Sequence, residues 1–305
     1  MIAVLMYMKN EDKNKFVPFY DKVPYKLREY IIKKRKPFIG EIIENYGTEI
    51  IYCVLPLIYG EKKSNYERWY NTVYNALEKL GEIGVTGAVL PEDDVFYSSV
   101  PVLRGRTVNA LMTFKIAKKA LKIKNIDMSK AEFVVVDGND KLTITALNSL
   151  IDNVNYLSVF TDREYFFDDI KERAEAERGL IINTFSSAKN QIFKDADVIV
   201  NCSSDMENHD YYYKRNSIYI DIVKNHSKSI RIASKRDDMM FIDGLSLKTK
   251  NGILKSQLYE GLKIENSDIF KNYIENYDNF YEVIEEFNDE NISLSSLYFM
   301  DKYIL

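Results

Sequence analysis

The chain has 305 residues, of which 46% are hydrophobic and 29% are charged, and its formal net charge at pH 7 is -4. This composition is typical of a folded globular protein and excludes an intrinsically disordered chain, and the length predicts two domains. The small negative charge gives no general attraction to nucleic acid or to an anionic membrane, so we expect neither as a partner.

The apolar runs and the cysteines favour a cytoplasmic location. The start "MIAVLMYMKNEDKNK" has a short apolar run with no basic residue ahead of it, which does not fit a secretory signal. The run "IIYCVLPLIYG" is shorter than the roughly 20 residues of a membrane span. Cys53 and Cys202 each lie within an apolar run, which predicts buried free thiols.

Residues 1–105 predict an α/β domain. The runs "IAVLMYM" and "IIYCVLPLI" predict buried strands, and "GVTGAVLPEDD" predicts a strand that leads into an acidic loop. A helix between them has its apolar stripe at Trp69, Val73, Leu77 and Leu80. In the acidic loop, Glu92, Asp93 and Asp94 either bind a cation or act as a general base, or are simply solvated.

The basic run "KKRK", residues 33–36, raises the question of nucleic acid. It has no interleaved glycine or aromatic residue and stands directly before Pro37. These features favour the solvated end of a helix over a nucleic-acid patch.

Residues 106–245 predict a Rossmann-like domain. The stretch "TVNALMTFKIAKKALKIKNIDMSK" predicts one long helix that links the two domains. Helices at Thr143–Ile151 and Arg163–Glu177 then alternate with short apolar strands. Those strands are "FVVVDG", "YLSVFT", "GLIINTF", "DVIVNCS" and "SIYIDIV". This alternation predicts parallel βαβ units, and hence an α/β protein whose second domain is a doubly wound parallel sheet.

Residues 246–305 predict C-terminal helices that pack back on the first domain. An amphipathic stripe there comprises Ile269, Tyr273, Ile274, Tyr277, Phe280, Tyr281, Ile284 and Phe287. The stripe either covers a face of the core or forms a homodimer contact.

Five segments, in order, carry a resemblance to a known family. They are "RGRTVNAL", "VVVDGND", "DADVIVNCSS", "SIYIDIVKN" and "MMFIDGL". Together they resemble the nucleotide-binding half of shikimate dehydrogenase-like proteins, and their order is similar to that in long-chain acyl-carrier-protein reductases. The resemblance covers roughly residues 103–261 and implies a Rossmann-type fold that binds NAD or NADP.

The glycine motif of that family is degenerate in this chain. A G-x-G-x-x-G turn lets backbone N–H groups approach a pyrophosphate, yet Asp137–Thr143 holds a single glycine, Gly138. Asp137 and Asp140 put carboxylates where a diphosphate would arrive, and like charges repel there. The catalytic lysine and cysteine of the two families have no counterpart at the matching positions.

The residues of the degenerate motif allow alternative roles. Asp140 or Thr143 caps the next helix and Gly138 with Asn139 forms the turn, or Lys141 and Thr143 form a modified phosphate site. Asp162 and Arg163 stand where such folds bind the ribose hydroxyls or the 2′-phosphate, but Asp162 also suits an N-cap.

The carboxyl ends of the strands predict one ligand cleft. The predicted cofactor-binding residues are Gly138, Asn139, Lys141, Thr143, Asp162, Arg163, Cys202 and Ser203, with Lys224 nearby. Arg104 and Arg106 are predicted to hold an anionic substrate group, together with Glu92 and Asp93.

The two histidines offer little further chemistry. Neither His209 nor His226 has a metal ligand at diagnostic spacing, and His226 is either an exposed loop residue or an acid–base group.

Two functions remain open at this point. One is a divergent nicotinamide-dependent dehydrogenase that acts on a small anionic substrate. The other is a non-catalytic Rossmann-fold binding or assembly module that has lost its dinucleotide site and binds no cofactor. The fold alone does not decide between them, so whether the chain is an enzyme stays open.

Overall fold

The structure is a computed structural model that describes residues 1–45, 47–92, 94–206, 212–276, 278–300 and 302–304. Asp93, His209 and Tyr277, all named in the sequence analysis, lie outside the described residues. The chain divides into two compact units. Unit 1 comprises Met1–Arg104 with Glu260–Asp268, and unit 2 comprises Gly105–Tyr259 with Ile269–Leu305.

Unit 1 is built on a sheet with the strand order β2-β3-β1-β4. Its strands are β1 Ile2–Tyr7, β2 Phe38–Asn45, β3 Thr48–Leu55 and β4 Gly87–Val89. Its helices are α1 Lys13–Phe16, α2 Tyr25–Lys33, α3 Glu61–Ser64 and α4 Tyr66–Glu82, with 3₁₀ turns at Asn10–Asp12 and Tyr20–Lys22. β3, β1 and β4 are parallel, and β2 is an antiparallel edge strand.

The predicted helical stripe forms the core of unit 1. Trp69, Val73, Leu77 and Leu80 are completely buried and pack against the apolar faces of β1 and β3. The predicted stripe is therefore confirmed. Cys53 belongs to the same cluster, and both it and Cys202 are buried free thiols.

Unit 2 contains the larger parallel sheet and its helices. Its parallel strands are β5 Glu132–Val136, β6 Tyr156–Phe160, β7 Ile182–Phe185, β8 Val198–Asn201, β9 Ile218–Asp221 and β10 Met240–Ile242. The helices up to β10 are α5 Arg106–Leu111, α6 Thr113–Lys124, α7 Lys141–Ile151, α8 Asp168–Arg178 and α9 His226–Ala233. 3₁₀ helices lie at Glu164–Phe167 and Ser187–Lys194.

The strand order of this sheet is β10-β9-β8-β5-β6-β7, and every pair is parallel. The chain starts at the centre, moves outward through β6 and β7, and returns to build the other half from β8. This is the 3-2-1-4-5-6 order of dinucleotide-binding folds. The predicted Rossmann-like, doubly wound fold class is confirmed.

The predicted linking helix is interrupted at Met112, where α5 ends and α6 begins. The hydroxyl of Ser149, from α7, enters the break. It accepts a hydrogen bond from the Phe114 N–H (3.1 Å) and donates one to the Leu111 carbonyl (3.1 Å). A side chain inserted into the helical ladder is a common cause of such breaks. The prediction of a single helix was wrong because the inserted residue is distant in sequence.

The C-terminal part holds an antiparallel sheet that the sequence analysis did not predict. Its strand order is β12-β11-β13-β14, and the register between β11 and β13 shifts at Ser246/Leu247, where Ser295 of β13 is skipped. The strands are β11 Gly244–Thr249, β12 Gly252–Lys255, β13 Ser293–Phe299 and β14 Lys302–Tyr303. The remaining helices are α10 Ser256–Asn266, α11 Asp268–Asn276 and α12 Phe280–Asp289.

The predicted C-terminal stripe is divided between α11 and α12. Tyr273, Phe280 and Phe287 are buried, whereas Ile269 and Tyr281 are exposed. A left-handed Asn279 caps α12 and separates the two helices, so the stripe does not run along one continuous face. Over the described ranges, no helix is long and apolar enough to cross a membrane.

Candidate functional site

The candidate site of unit 2 lies where the strand order reverses, between β5 and β8. Open α/β sheets bind ligands at this point, outside the carboxyl ends of the strands. Two loops meet there, Asp137–Asp140 after β5 and Cys202–Asp205 after β8, and we call them the switch-point loops. Their geometry decides what the crevice can hold.

The switch-point loops are in direct backbone contact. A Cβ atom built on Gly138 would lie 1.9 Å from the carbonyl oxygen of Cys202. No side chain fits at that distance, so glycine is required here for the close approach of the loops and not for a positive φ. The turn itself is made by Asn139, which has a φ of 59°.

The Asp137 side chain is held by four hydrogen bonds. Its carboxylate accepts two hydrogen bonds from the Arg163 guanidinium (2.7 and 2.9 Å), one from the Thr161 hydroxyl (2.8 Å) and one from the Asn139 N–H (2.9 Å). Burial would raise the pKa of Asp137, but the bonds from Arg163, Thr161 and Asn139 outweigh it and lower that pKa. Arg163, which also stacks over the Phe166 ring at 3.8 Å, is therefore held by a carboxylate of its own chain.

Asp140 occupies the N-terminus of α7 as its N-cap. Its carboxylate accepts hydrogen bonds from the backbone N–H groups of Thr143 and Leu142. The pKa of Asp140 is raised, chiefly by burial, and the negative charge of Asp137 adds to the shift. The Thr143 hydroxyl accepts the Gly138 N–H at 3.1 Å. The N–H groups of Gly138, Asn139, Leu142 and Thr143 thus all donate to side chains of the same segment.

The other predicted cofactor-binding residues, Lys141, Asp162, Cys202 and Ser203, take no part in these hydrogen bonds. Lys141 is exposed, and its Nζ donates to the carbonyls of Glu275 and Asn276 at the end of α11. Cys202 and Ser203 are buried. Asp162 is exposed and is not the predicted N-cap, because the 3₁₀ helix begins only at Glu164. The turn before it is instead fixed by the Arg163 N–H, which donates to the Thr161 hydroxyl (3.0 Å).

A second polar cluster, which the sequence analysis missed, lies at the carboxyl ends of β8 and β9. Asn201 donates to the Asp221 carboxylate (3.0 Å) and accepts from the Lys228 ammonium (2.9 Å), while the Ser229 hydroxyl also donates to Asp221 (2.7 Å). All four side chains are buried. Burial raises the pKa of Asp221 despite these bonds. In the sequence, this cluster was indicated only by Asn201 and Asp221, two polar residues at the ends of apolar strands.

Asp243, directly after β10, extends this polar edge. Its carboxylate oxygens accept the Met300 N–H (3.1 and 2.9 Å), and Nε2 of His226 lies 3.3 Å from Oδ2. Asp243 is buried, whereas His226 is partly exposed and begins α9. His226 is therefore a helix residue oriented by a carboxylate, not the loop residue that the sequence suggested. A histidine held in this way is equipped for proton transfer.

The predicted substrate residues of unit 1 are engaged within that unit. Glu92 accepts a hydrogen bond from the Tyr7 hydroxyl, which in turn accepts the Trp69 indole N–H at 2.9 Å. Burial, followed by the bond to Glu92, raises the pKa of Tyr7. Arg104 donates to the backbone carbonyl of Asp94 at 2.8 Å. Arg106 lies in the other unit, at the start of α5.

The described part of the chain contains no candidate metal site. No group of three or more His, Cys, Asp or Glu side chains is placed there so as to hold an ion.

No protein-family model and no curated protein matches this chain. Among solved structures it is similar to one of the subunits of dipicolinate synthase from Bacillus halodurans, with 14% identity, a TM-score of 0.37, and coverage of 52% of this chain and 57% of that one. The chain thus spans little more than half the length of that relative.

Further solved structures cover more of the chain. Shikimate 5-dehydrogenase from Listeria monocytogenes, in complex with shikimate and NAD, has 10% identity and a TM-score of 0.35, with coverage of 79% of this chain and 85% of that one. Aspartate transcarbamoylase from Trypanosoma cruzi has 12% identity and a TM-score of 0.31, with coverage of 72% and 69%. The chain is thus similar to Rossmann-type dehydrogenases, as the sequence suggested. The sequence identities and TM-scores are too low to carry an argument about activity.

The contact between the switch-point loops gives a first prediction. Gly138→Ala must push the two loop backbones apart, and we expect it to lower the free energy of unfolding by about 3 kcal/mol. Gly244→Ala is the control, because its Cβ would lie 3.7 Å from the Tyr298 side chain and should change stability by less than about 0.5 kcal/mol. Urea unfolding measures the stability of both variants. Equal losses of stability would contradict the close approach of the Gly138 and Cys202 backbones.

The ion pair at Asp137 gives a second prediction. Arg163→Gln leaves the carboxylate without its cation and should cost about 2 kcal/mol of unfolding free energy near neutral pH. The folded-state pKa of Asp137 lies below its unfolded value, so this contribution is present above about pH 4 and is lost as the pH falls through the folded-state pKa. Urea unfolding of both proteins at about pH 7 and about pH 3 should therefore show a difference that shrinks in acid.

The control for this variant is Arg178→Gln. Its guanidinium Nε lies 3.8 Å from Asp152, and both side chains are more than a third exposed. An exposed pair of this kind should change stability by less than about 1 kcal/mol. If Arg178→Gln lowered the free energy of unfolding as much as Arg163→Gln, the buried ion pair at Asp137 would contribute no more than an exposed one.

Proposed function

We propose that this protein is a Rossmann-fold binding or assembly module whose switch-point crevice does not take a nicotinamide dinucleotide. The observation that carries the proposal is the Asp140 carboxylate at the N-terminus of α7, which accepts the N–H groups of Leu142 and Thr143. In dinucleotide-binding folds, this helix end holds the pyrophosphate. Here a side chain of the protein takes the place of that anion.

The electrostatics of the crevice support the same proposal. Asp137 and Asp140 lie close enough for the charge of Asp137 to raise the pKa of Asp140. A pyrophosphate would enter beside both carboxylates and would find the nearby backbone donors already bonded. Its desolvation would then be uncompensated, which costs several kcal/mol in a partly buried site.

A second candidate is a divergent nicotinamide-dependent dehydrogenase that acts on a small anionic substrate. It is favoured by the complete six-stranded order and by the His226–Asp243 pair at the carboxyl edge of the sheet. Under this proposal the switch-point loops open and NAD or NADP binds along Gly138, Asn139 and Arg163. Arg106, which belongs to the same unit as these loops, then holds the substrate anion. The Asp137–Arg163 pair must break for Arg163 to reach a 2′-phosphate.

A cofactor titration distinguishes the two candidates. Calorimetry of the purified full chain with NADH and with NADPH should give no saturable heat, because the pyrophosphate position is filled. A nicotinamide-dependent dehydrogenase measured in the same buffers is the positive control. Saturable binding at micromolar concentration by the folded protein would overturn the module and support the dehydrogenase.

Removal of the internal anion tests the same point in the opposite direction. Asp140→Gly frees the N–H groups at the start of α7 and removes one repelling charge, so inorganic pyrophosphate should bind at least about tenfold more tightly than to wild type. Asp152→Gly, at the other end of the same helix, should leave this affinity unchanged. Unchanged affinity in Asp140→Gly would contradict the role assigned to the Asp140 carboxylate.

A further inference from the structure

Helix α2 of unit 1 and its flanking residues concentrate positive charge. Residues 22–36 contain seven basic residues and one acid, in a chain whose total charge is -4. The bases are Lys22, Lys26, Arg28, Lys33, Lys34, Arg35 and Lys36. The last four of these form the run at residues 33–36 that the sequence alone places at a solvated helix end.

The same segment exposes apolar and aromatic side chains. None of the nine residues of α2 is buried. Tyr25 is 66% exposed, Tyr30 55% and Leu27 48%. In the preceding turn Phe19 is 74% exposed and has a φ of 54°, a left-handed conformation that is rare and strained for a bulky residue. Exposed apolar groups of this size, clustered together, mark an interaction surface.

The basic side chains of this segment have no carboxylate partner in the described part of the chain. The single acid of the segment, Glu29, accepts a hydrogen bond from the Tyr25 hydroxyl (2.7 Å). Arg28 bonds to backbone carbonyls, and Lys34 lies over the Tyr30 ring at 4.3 Å. The positive charge is therefore available to a partner.

The inner side of α2 fixes which face points outward. Ile31 and Ile32 pack against an apolar cluster of unit 1 that includes Phe16 and Val54. At a helical spacing of 100° per residue, Lys26, Glu29, Tyr30, Lys33 and Lys34 fall on the opposite side from this contact. We call this outward set, together with Phe19, Leu27, Arg35 and Lys36, the α2 surface.

We propose that the α2 surface docks on an anionic lipid membrane. Interfacial helices combine basic residues, which stay among the headgroups, with aromatic and aliphatic side chains that enter the acyl boundary. A nucleic acid could bind the basic side chains through its phosphates and stack its bases on the rings of Phe19 and Tyr30. It has no apolar layer in which Leu27 could be buried. The expectation that the chain has no membrane partner rested on its overall charge, which conceals this local excess.

Vesicle co-sedimentation of the 305-residue chain tests the proposal. Wild type should bind phosphatidylcholine vesicles that contain about one third phosphatidylserine, should not bind pure phosphatidylcholine, and should be released by about 0.5 M salt. Lys33→Glu, Lys34→Glu and Lys36→Glu combined should lower binding by at least about a hundredfold. Phe19→Ser with Leu27→Ser should lower it by about tenfold.

The control reverses three exposed lysines elsewhere: Lys122→Glu, Lys130→Glu and Lys250→Glu. This triple variant has the same net charge as the α2 variant and should retain most of the binding. Thermal unfolding of every variant shows that the fold is kept. Equal loss in the control, equal binding to neutral vesicles, or binding to RNA or DNA oligonucleotides without binding to vesicles would overturn the proposal.

Discussion

The candidate site of this protein depends on one buried carboxylate, Asp137, at the end of the central strand. Through its bonds to Arg163, Thr161 and the Asn139 N–H, it joins the end of β5 to the end of β6. Asp140 then caps α7, and Gly138 brings the loop against the Cys202 carbonyl. At this corner, where dinucleotide-binding folds place the diphosphate, the backbone N–H groups of Gly138, Asn139 and Thr143 donate to side chains of the same segment.

Much of the fold could be predicted because its signals are local. Short apolar strands that alternate with helices predicted the parallel sheet, and the stripe from Trp69 to Leu80 predicted the core of unit 1. Features that depend on distant residues could not be predicted. Ser149 breaks the linking helix from another helix, and the antiparallel sheet needs Ser293–Phe299 to pair with Gly244–Thr249, which are far apart in sequence.

The placement of several candidate residues at strand ends could be predicted from the sequence, but their hydrogen bonds could not. Strand ends located Gly138, Cys202 and Ser203 correctly at the carboxyl edge, since a parallel sheet collects those ends on one side. The sequence could not show that Arg163 turns back onto Asp137 or that Lys141 reaches the end of α11. The Asn201–Asp221–Lys228 cluster escaped notice because its members are not adjacent, and only the sheet brings them within hydrogen-bonding distance.

We infer that two neighbouring aspartates, Asp137 and Asp140, act as the internal anions of the crevice. Carbon-13 NMR titration of the Asp137 and Asp140 carboxyl groups in the full chain tests it most directly. We expect a pKa below the ordinary aspartate value for Asp137, because Arg163 stabilises its charge, and one above that value for Asp140, because it is buried beside Asp137. Two ordinary values would mean that the carboxylates point to solvent, and the crevice would then be open to a dinucleotide.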